Sequence, residues 1–199
     1  MVCVKGRVMS QGESKPNQDP VEQKILELFA AGDGDSALRL MMRSFQQVLY
    51  RHIRRMVVDH DAADDLLQVT FIKAWQNLGN FRGDARLKTW LYTIASNQCL
   101  SHLKKKRQLF FLPIHDIEPE MNRQLKASAD ILDGDEISLR LQSAVLKLPD
   151  KQRLVFNMKY YDELDYETMS RITGTSVGAL KASYHHAVQK IQKQIRISD

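Results

Sequence analysis

Apolar residues recur at three- and four-residue spacing along most of this 199-residue chain, and one stretch near its middle breaks the pattern. The break covers residues 108–137, with Pro113, Pro119, Gly134 and six acidic residues between Asp116 and Asp135. Proline removes an amide that a helix interior needs, and a dense run of like charge repels itself, so this stretch reads as a linker. No segment alternates apolar and polar residues as a half-buried strand would. The expected fold is all-α: two small helical domains, residues 19–107 and 138–199, joined by an acidic linker. The second domain reads as four helices that include a helix-turn-helix.

The net charge of +5 says less than its distribution. Residues 1–107 carry 17 Lys and Arg against 11 Asp and Glu, residues 108–140 carry 3 against 7, and residues 141–199 carry 9 against 6. Two basic blocks flanking an acidic bridge suit a polyanionic partner. The two cysteines, Cys3 and Cys99, fit a reducing compartment better than a disulfide framework. No apolar run approaches the ~20 residues that a bilayer span requires, so the chain is expected to be soluble and cytoplasmic, with no membrane insertion. No metal ligand set and no cofactor motif stand out. Residues 1–18 lack periodicity and are expected to be a disordered leader.

Asp19 with Pro20 predicts a helix start, the stripe Ile25, Leu28 and Phe29 follows, and Gly32 ends the helix. Leu38, Met41, Met42, Phe45, Leu49, Ile53 and Val57 predict the inner face of a longer helix. Asp61 is the expected cap of the next, running from Ala62 to Leu78 before Gly79-Asn80. Its expected buried face is Leu67, Phe71, Trp75 and Leu78, which leaves Asp64, Asp65, Gln68, Lys73 and Gln76 outward. After the turn Phe81-Arg82-Gly83-Asp84, a further helix places Leu87, Leu91, Ile94 and Ala95 on a core stripe, with Lys88, Thr89 and Tyr92 off it. That helix ends in the run Lys104-Lys105-Lys106-Arg107. Rings close to cations suit single-stranded DNA, because bases stack at ~1 to 3 kcal/mol each while Lys and Arg neutralise phosphates. The same features also suit a plain core with Trp75 and Trp90 inside it, and a helix end that complements its own dipole.

Beyond the linker, Leu141, Val145 and Leu148 form one stripe, Asp150 is the expected cap of the next helix, and Leu154, Val155 and Met158 carry that helix to Tyr160-Tyr161. Asp165 caps a short helix, Tyr166 to Thr173; Gly174 supplies the turn, and Ser176 caps the last helix. In that helix Leu180, Tyr184, Ala187, Val188, Ile191 and Ile195 face inward. Lys181, Ala182, His185, His186, Gln189 and Lys190 face outward and carry no negative charge, as a helix reading the major groove requires.

Three separate motifs in this order resemble those of the extracytoplasmic-function sigma factors, the two-domain branch of the sigma-70 family. Residues Asp61 to Trp75 match the segment that binds the clamp helices of the largest RNA polymerase subunit. Phe81 to Asp84 with Lys88 to Asn97 match the promoter-melting segment. Leu148-Pro149, Tyr166-Glu167 and Ser176 to Lys181 match the domain that reads the minus-thirty-five element. The resemblance implies a transcription initiation factor, not an enzyme, whose partners are core RNA polymerase, promoter DNA and an anti-sigma factor. It implies polymerase contacts at Asp64, Asp65, Gln68, Lys73 and Gln76. It implies minus-ten contacts at Lys88, Trp90, Tyr92, Ser96, Asn97, Lys104, Lys105, Lys106 and Arg107, with Asn97 helping to hold a flipped base. For the minus-thirty-five element it implies Arg171, Ser176, Gly178, Lys181, Ala182, His185 and His186.

The match is not complete: Val69 stands where a glutamate is common, Thr93 where an arginine is common, and Ala182, His185 and His186 replace a more basic surface. A helix-turn-helix regulator acting without polymerase would account for Asp165 to Ile195 but not for the acidic helix or the aromatic segment. A thiol hydrolase built on Cys99 and His102 lacks a third orienting group and an oxyanion motif.

Overall fold

A computed structural model describes residues 19–110 and 136–197, and every regular element among them is helical. The expected leader and nearly all of the linker lie outside the described residues. Eight α-helices follow in order: α1 Pro20–Ala30, α2 Gly34–Val57, α3 His60–Asn77, α4 Leu87–Phe110, α5 Glu136–Leu146, α6 Asp150–Tyr160, α7 Tyr166–Thr173 and α8 Val177–Ile197. A 3-10 turn at Leu78–Asn80 follows α3.

Local chemistry sets most of the boundaries. The Asp19 carboxylate accepts from the Val21 amide with Pro20 at the first helical position, and Gly32 leaves α1 with φ +83°. Asp33 caps α2 through the Ser36 amide. Asp59, not Asp61, caps α3, accepting from the Ala62 amide at 2.7 Å. Two aspartates two residues apart compete for one role, and the one whose carboxylate reaches an unpaired amide wins. Asp150 caps nothing: α6 starts after Pro149 without a side-chain cap, and the Asp150 carboxylate instead binds Arg153 and Arg107. α4 also runs three residues past the expected linker boundary, to Phe110.

The long helices pack as a bundle around Ile25, Met41, Leu49, Ile53, Met56, Leu87, Leu91 and Tyr92, all essentially sealed from water. Fully burying such side chains stabilises the fold by ~1.5 to 3 kcal/mol each. Three faces differ from those expected. Met42 lies at the surface; Leu66 is buried while Leu67 and Trp75 are half-buried; and Tyr92 and Thr89 lie inside, because α4 is covered by α2 and α3 on one side and by α6 and α7 on another. Trp75 fits only because residue 34 is glycine: a Cβ there would come within 2.5 Å of the indole.

The second domain has its own small core of Val145, Leu148, Phe156, Ala187 and Ile191. Leu154, Val155, Met158, Met169, Ile172 and Leu180 instead join the large core of the first domain. The two sequence domains therefore pack as one body.

The start of α4 is held from a distance. Glu22, buried in α1, accepts from the Leu87 amide at 3.0 Å and the Lys88 amide at 3.2 Å, satisfying two of the unpaired donors of a helix N-terminus. Glu22→Ala should cost roughly 1 to 3 kcal/mol in urea unfolding, because the buried Leu87 amide is left without a partner. Unchanged stability would show that α4 needs no such anchor.

Candidate functional site

Three surfaces carry the residues that the sequence singles out. The first is the outer face of α3. Asp65, Gln68, Lys73 and Gln76 are exposed, and Asp64 is partly so, with His60 3.6 Å from its carboxylate. Between them lie Val69 and Ile72, 36% and 55% exposed. An apolar side chain left this open within a polar ring is how a helix face that docks on a partner is built. The sequence reading missed Ile72, although its position one turn from Gln68 and Gln76 was the available signal.

The second surface is a cleft of about 320 Å³ between the end of α3 and the middle of α4, lined by Lys73, Asn77, Asn80, Trp90, Ile94, Asn97 and Gln98. It groups Lys73 with Trp90 and Asn97, which the sequence placed on different faces. Trp90 is half-buried and its ring is tilted against Phe81, with centroids 5.3 Å apart. Side-chain amides from Asn77, Asn80, Asn97 and Gln98 ring the opening, so donors and acceptors stand beside an aromatic wall. Lys88, Lys104 and Lys105 are exposed on α4, Lys106 is half-buried, and Arg107 is paired at 2.5 Å with Asp150 of the second domain. Tyr92 and Ser96 are not on this surface. Tyr92 packs against His52, Ser96 bonds to His52, and both are within 2% of full burial.

The third surface is the helix-turn-helix. The Asp165 carboxylate accepts from the Thr168 amide at 2.7 Å and the Thr168 hydroxyl at 2.9 Å. Gly174 takes the left-handed φ of +67° that the turn demands, and Ser176 Oγ accepts from the Ala179 amide. Arg171, Ser176, Gly178, Lys181, Ala182, His185 and His186 are all exposed. Nothing lies within 4 Å of a Cβ added at Gly178, which leaves room for another molecule.

Two stretches of the chain match known families. Residues 41–108 match the family model for Sigma-70 region 2, and residues 138–191 match that for Sigma-70 region 4. The ECF RNA polymerase sigma factor SigW of Bacillus subtilis is 30% identical over 181 residues, covering 87% of this chain and 96% of that protein. The chain belongs to the extracytoplasmic-function sigma factors of the sigma-70 family. The RNA polymerase sigma-H factor of Pseudomonas aeruginosa is 29% identical over 88% of the chain and 94% of its own length. The fold is shared with CnrH, solved in complex with the cytosolic domain of CnrY, at a TM-score of 0.64 and 19% identity over 90% of this chain and 99% of that one. It is also shared with the sigma factor RpoE of Bartonella quintana, solved with the anti-sigma factor NepR, at 0.60 and 21% over 81% and 98%.

In this sigma factor Cys99 is sealed in the core, where burial pushes its thiol up to about 12, so it is a poor nucleophile. No described helix is long and apolar enough to cross a membrane. The helix-turn-helix has a titratable anchor: hydrogen bonds from Thr168 hold the Asp165 carboxyl below its ordinary value. A carboxylate lowered on folding stabilises above the unfolded value of ~3.9, and that contribution fades as pH falls through the lower folded value. Asp165→Ala should therefore cost about 1 kcal/mol at neutral pH and flatten the stability profile of the acid limb. An acid limb identical to wild type in urea titrations would remove this role.

Proposed function

We propose that this sigma factor docks on core RNA polymerase through the outer face of α3, opens promoter DNA at the cleft between α3 and α4, and reads an upstream element with α8. Asp64, Asp65, Gln68 and Gln76 supply the polar rim of the docking face and Ile72 its apolar centre. Lys73 belongs to the DNA cleft in this reading. The observation that carries the docking step is Ile72, more than half exposed, with Val69 beside it also open to water.

At the cleft, Trp90 offers a ring and Asn97 an amide that can pair with the edge of an unstacked base. Lys88, Lys104, Lys105 and Lys106 stand along the same helix to neutralise the backbone. Opening duplex costs ~1.4 kcal/mol per step, so a few stacking and charge contacts to the freed strand offset it without hydrolysis of any cofactor. Upstream, Arg171, Ser176, Lys181, His185 and His186 face the groove. Ala182 leaves an apolar spot suited to a thymine methyl.

One structural neighbour, RpoE, was solved with the anti-sigma factor NepR, and the other, CnrH, with the cytosolic domain of CnrY. An anti-sigma factor that binds this chain and withholds it from polymerase fits the same reading. Ile72→Glu places a charge in the centre of the docking face and should weaken core polymerase binding at least ~10-fold, or about 1.4 kcal/mol, with the helical content unchanged. Equal affinity for polymerase in a fluorescence titration would move the docking site away from α3.

A further inference from the structure

One of the cations on the outward face of α8 is held by a ring that belongs to another helix. Tyr166 is the first residue of α7, directly after the cap Asp165, whose carboxylate binds the Thr168 amide and hydroxyl. Its side chain is half-buried and packs against the large core. The Lys181 ammonium of α8 stands 5.7 Å from the centre of that ring, and the Lys159 ammonium of α6 stands 5.2 Å from it. Both distances fall within the ~6 Å over which an aromatic face attracts a cation.

The two lysines are not equivalent. Lys159 is half-buried and donates to the Leu164 carbonyl at 3.3 Å, so it ties the end of α6 to the turn before α7. Lys181 is exposed, and its neighbours on the outward face, Ala182, His185 and His186, carry no negative charge. A lysine paired with a carboxylate must give up that pair before it can serve a phosphate or a base edge. A lysine held by a ring keeps its full charge, and its three N–H donors stay available. Repulsion between the two ammonium groups at one ring further favours an outward position for the exposed one.

The supports beneath this contact are fixed from both sides. Tyr184, one turn along α8 from Lys181, stacks on Phe156 of α6 with centroids 5.8 Å apart and 16° between the ring planes. Phe156 is itself buried in the small core. The capped start of α7 and the anchored middle of α8 therefore hold ring and lysine at a set spacing. The Lys181 stem, which would otherwise sample many rotamers, is ordered before DNA arrives, and that lowers the entropy lost on binding.

We propose that Tyr166 is a positioning residue for Lys181: its ring presents the ammonium to the upstream DNA element and sets the sequence preference at the position that Lys181 reads. The role at DNA rests on α8 as the groove helix, whereas the contact between ring and cation is a property of the free chain. The aromatic face does the positioning, and the Tyr166 hydroxyl has no part in it.

Transcription by core polymerase with the full-length chain, on templates randomised in the upstream element, measures the preference position by position. Lys181→Ala should flatten it at one position. Tyr166→Leu should flatten the same position and lower output from the preferred template roughly two- to five-fold. Tyr166→Phe, which keeps the ring and removes the hydroxyl, should match wild type, and Tyr166→Leu combined with Lys181→Ala should be no worse than Lys181→Ala alone. In the free chain, the ring current should move the Lys181 ε-methylene protons upfield of those of exposed Lys193 in wild type and Tyr166→Phe, but not in Tyr166→Leu. Circular dichroism checks that the helices persist, and Tyr166→Met serves if the leucine variant does not fold. A Phe variant as impaired as the Leu variant, or an intact preference in folded Tyr166→Leu, overturns the positioning role. Lys181→Ala with no effect on the preference would count instead against α8 as the groove helix, and the free-chain shifts would still decide whether the ring holds the lysine.

Discussion

Helix α4 has to satisfy two sets of neighbours, and the rest of the structure depends on that demand. Its N-terminus is held by the buried carboxylate of Glu22, and its apolar seam of Leu87, Leu91, Ala95 and Cys99 is sealed in the large core. α2 and α3 cover one side; α6 and α7 cover another. What remains outside is the strip that carries Lys88, Trp90, Asn97 and the basic run. The candidate DNA surface is thus fixed by what the core leaves over, on a helix whose position two domains determine. A site on so constrained an element is held rigidly, which suits a surface that must catch a transiently unpaired base.

The same packing gives α4 a double role. A helix buried on both flanks cannot present its whole circumference to DNA, and Tyr92 and Ser96 face inward against His52. Polar groups at a domain boundary are costly to bury unless each is paired, and His52, Arg55 and Asp162 pair one another. Contacts between paired polar groups exchange for water at little net change, unlike a purely apolar seam.

Local signals made much of this legible in the sequence. The Asp19 and Asp165 caps, the Gly174 turn and the inner stripe of α8 depend on neighbours within a few residues, and the structure places each as the sequence implies. The outward residues of α3 and α8 were legible for the same reason, since a single periodicity decides them. Other features were set by distant partners. Asp150 meets Arg107 instead of capping α6, and Tyr92 is buried because a second layer covers α4. The contacts of His52 and Arg55 with Asp162, and of His52 with Ser96, could not be read from the pattern at all: His, Arg, Asp and Ser are residues that periodicity assigns to the surface. Ile72 was missed for the opposite reason, because an apolar residue is assigned inward by default.

The central claim is that one chain reads promoter DNA at two places while bound to polymerase. Transcription reconstituted from the purified chain and core polymerase on a randomised promoter library tests it most directly. The account predicts that transcribed templates share two sequence blocks at a fixed spacing, and that altered spacing abolishes initiation at those templates. Transcripts that depend on a single block, or that appear equally without the chain, would contradict it.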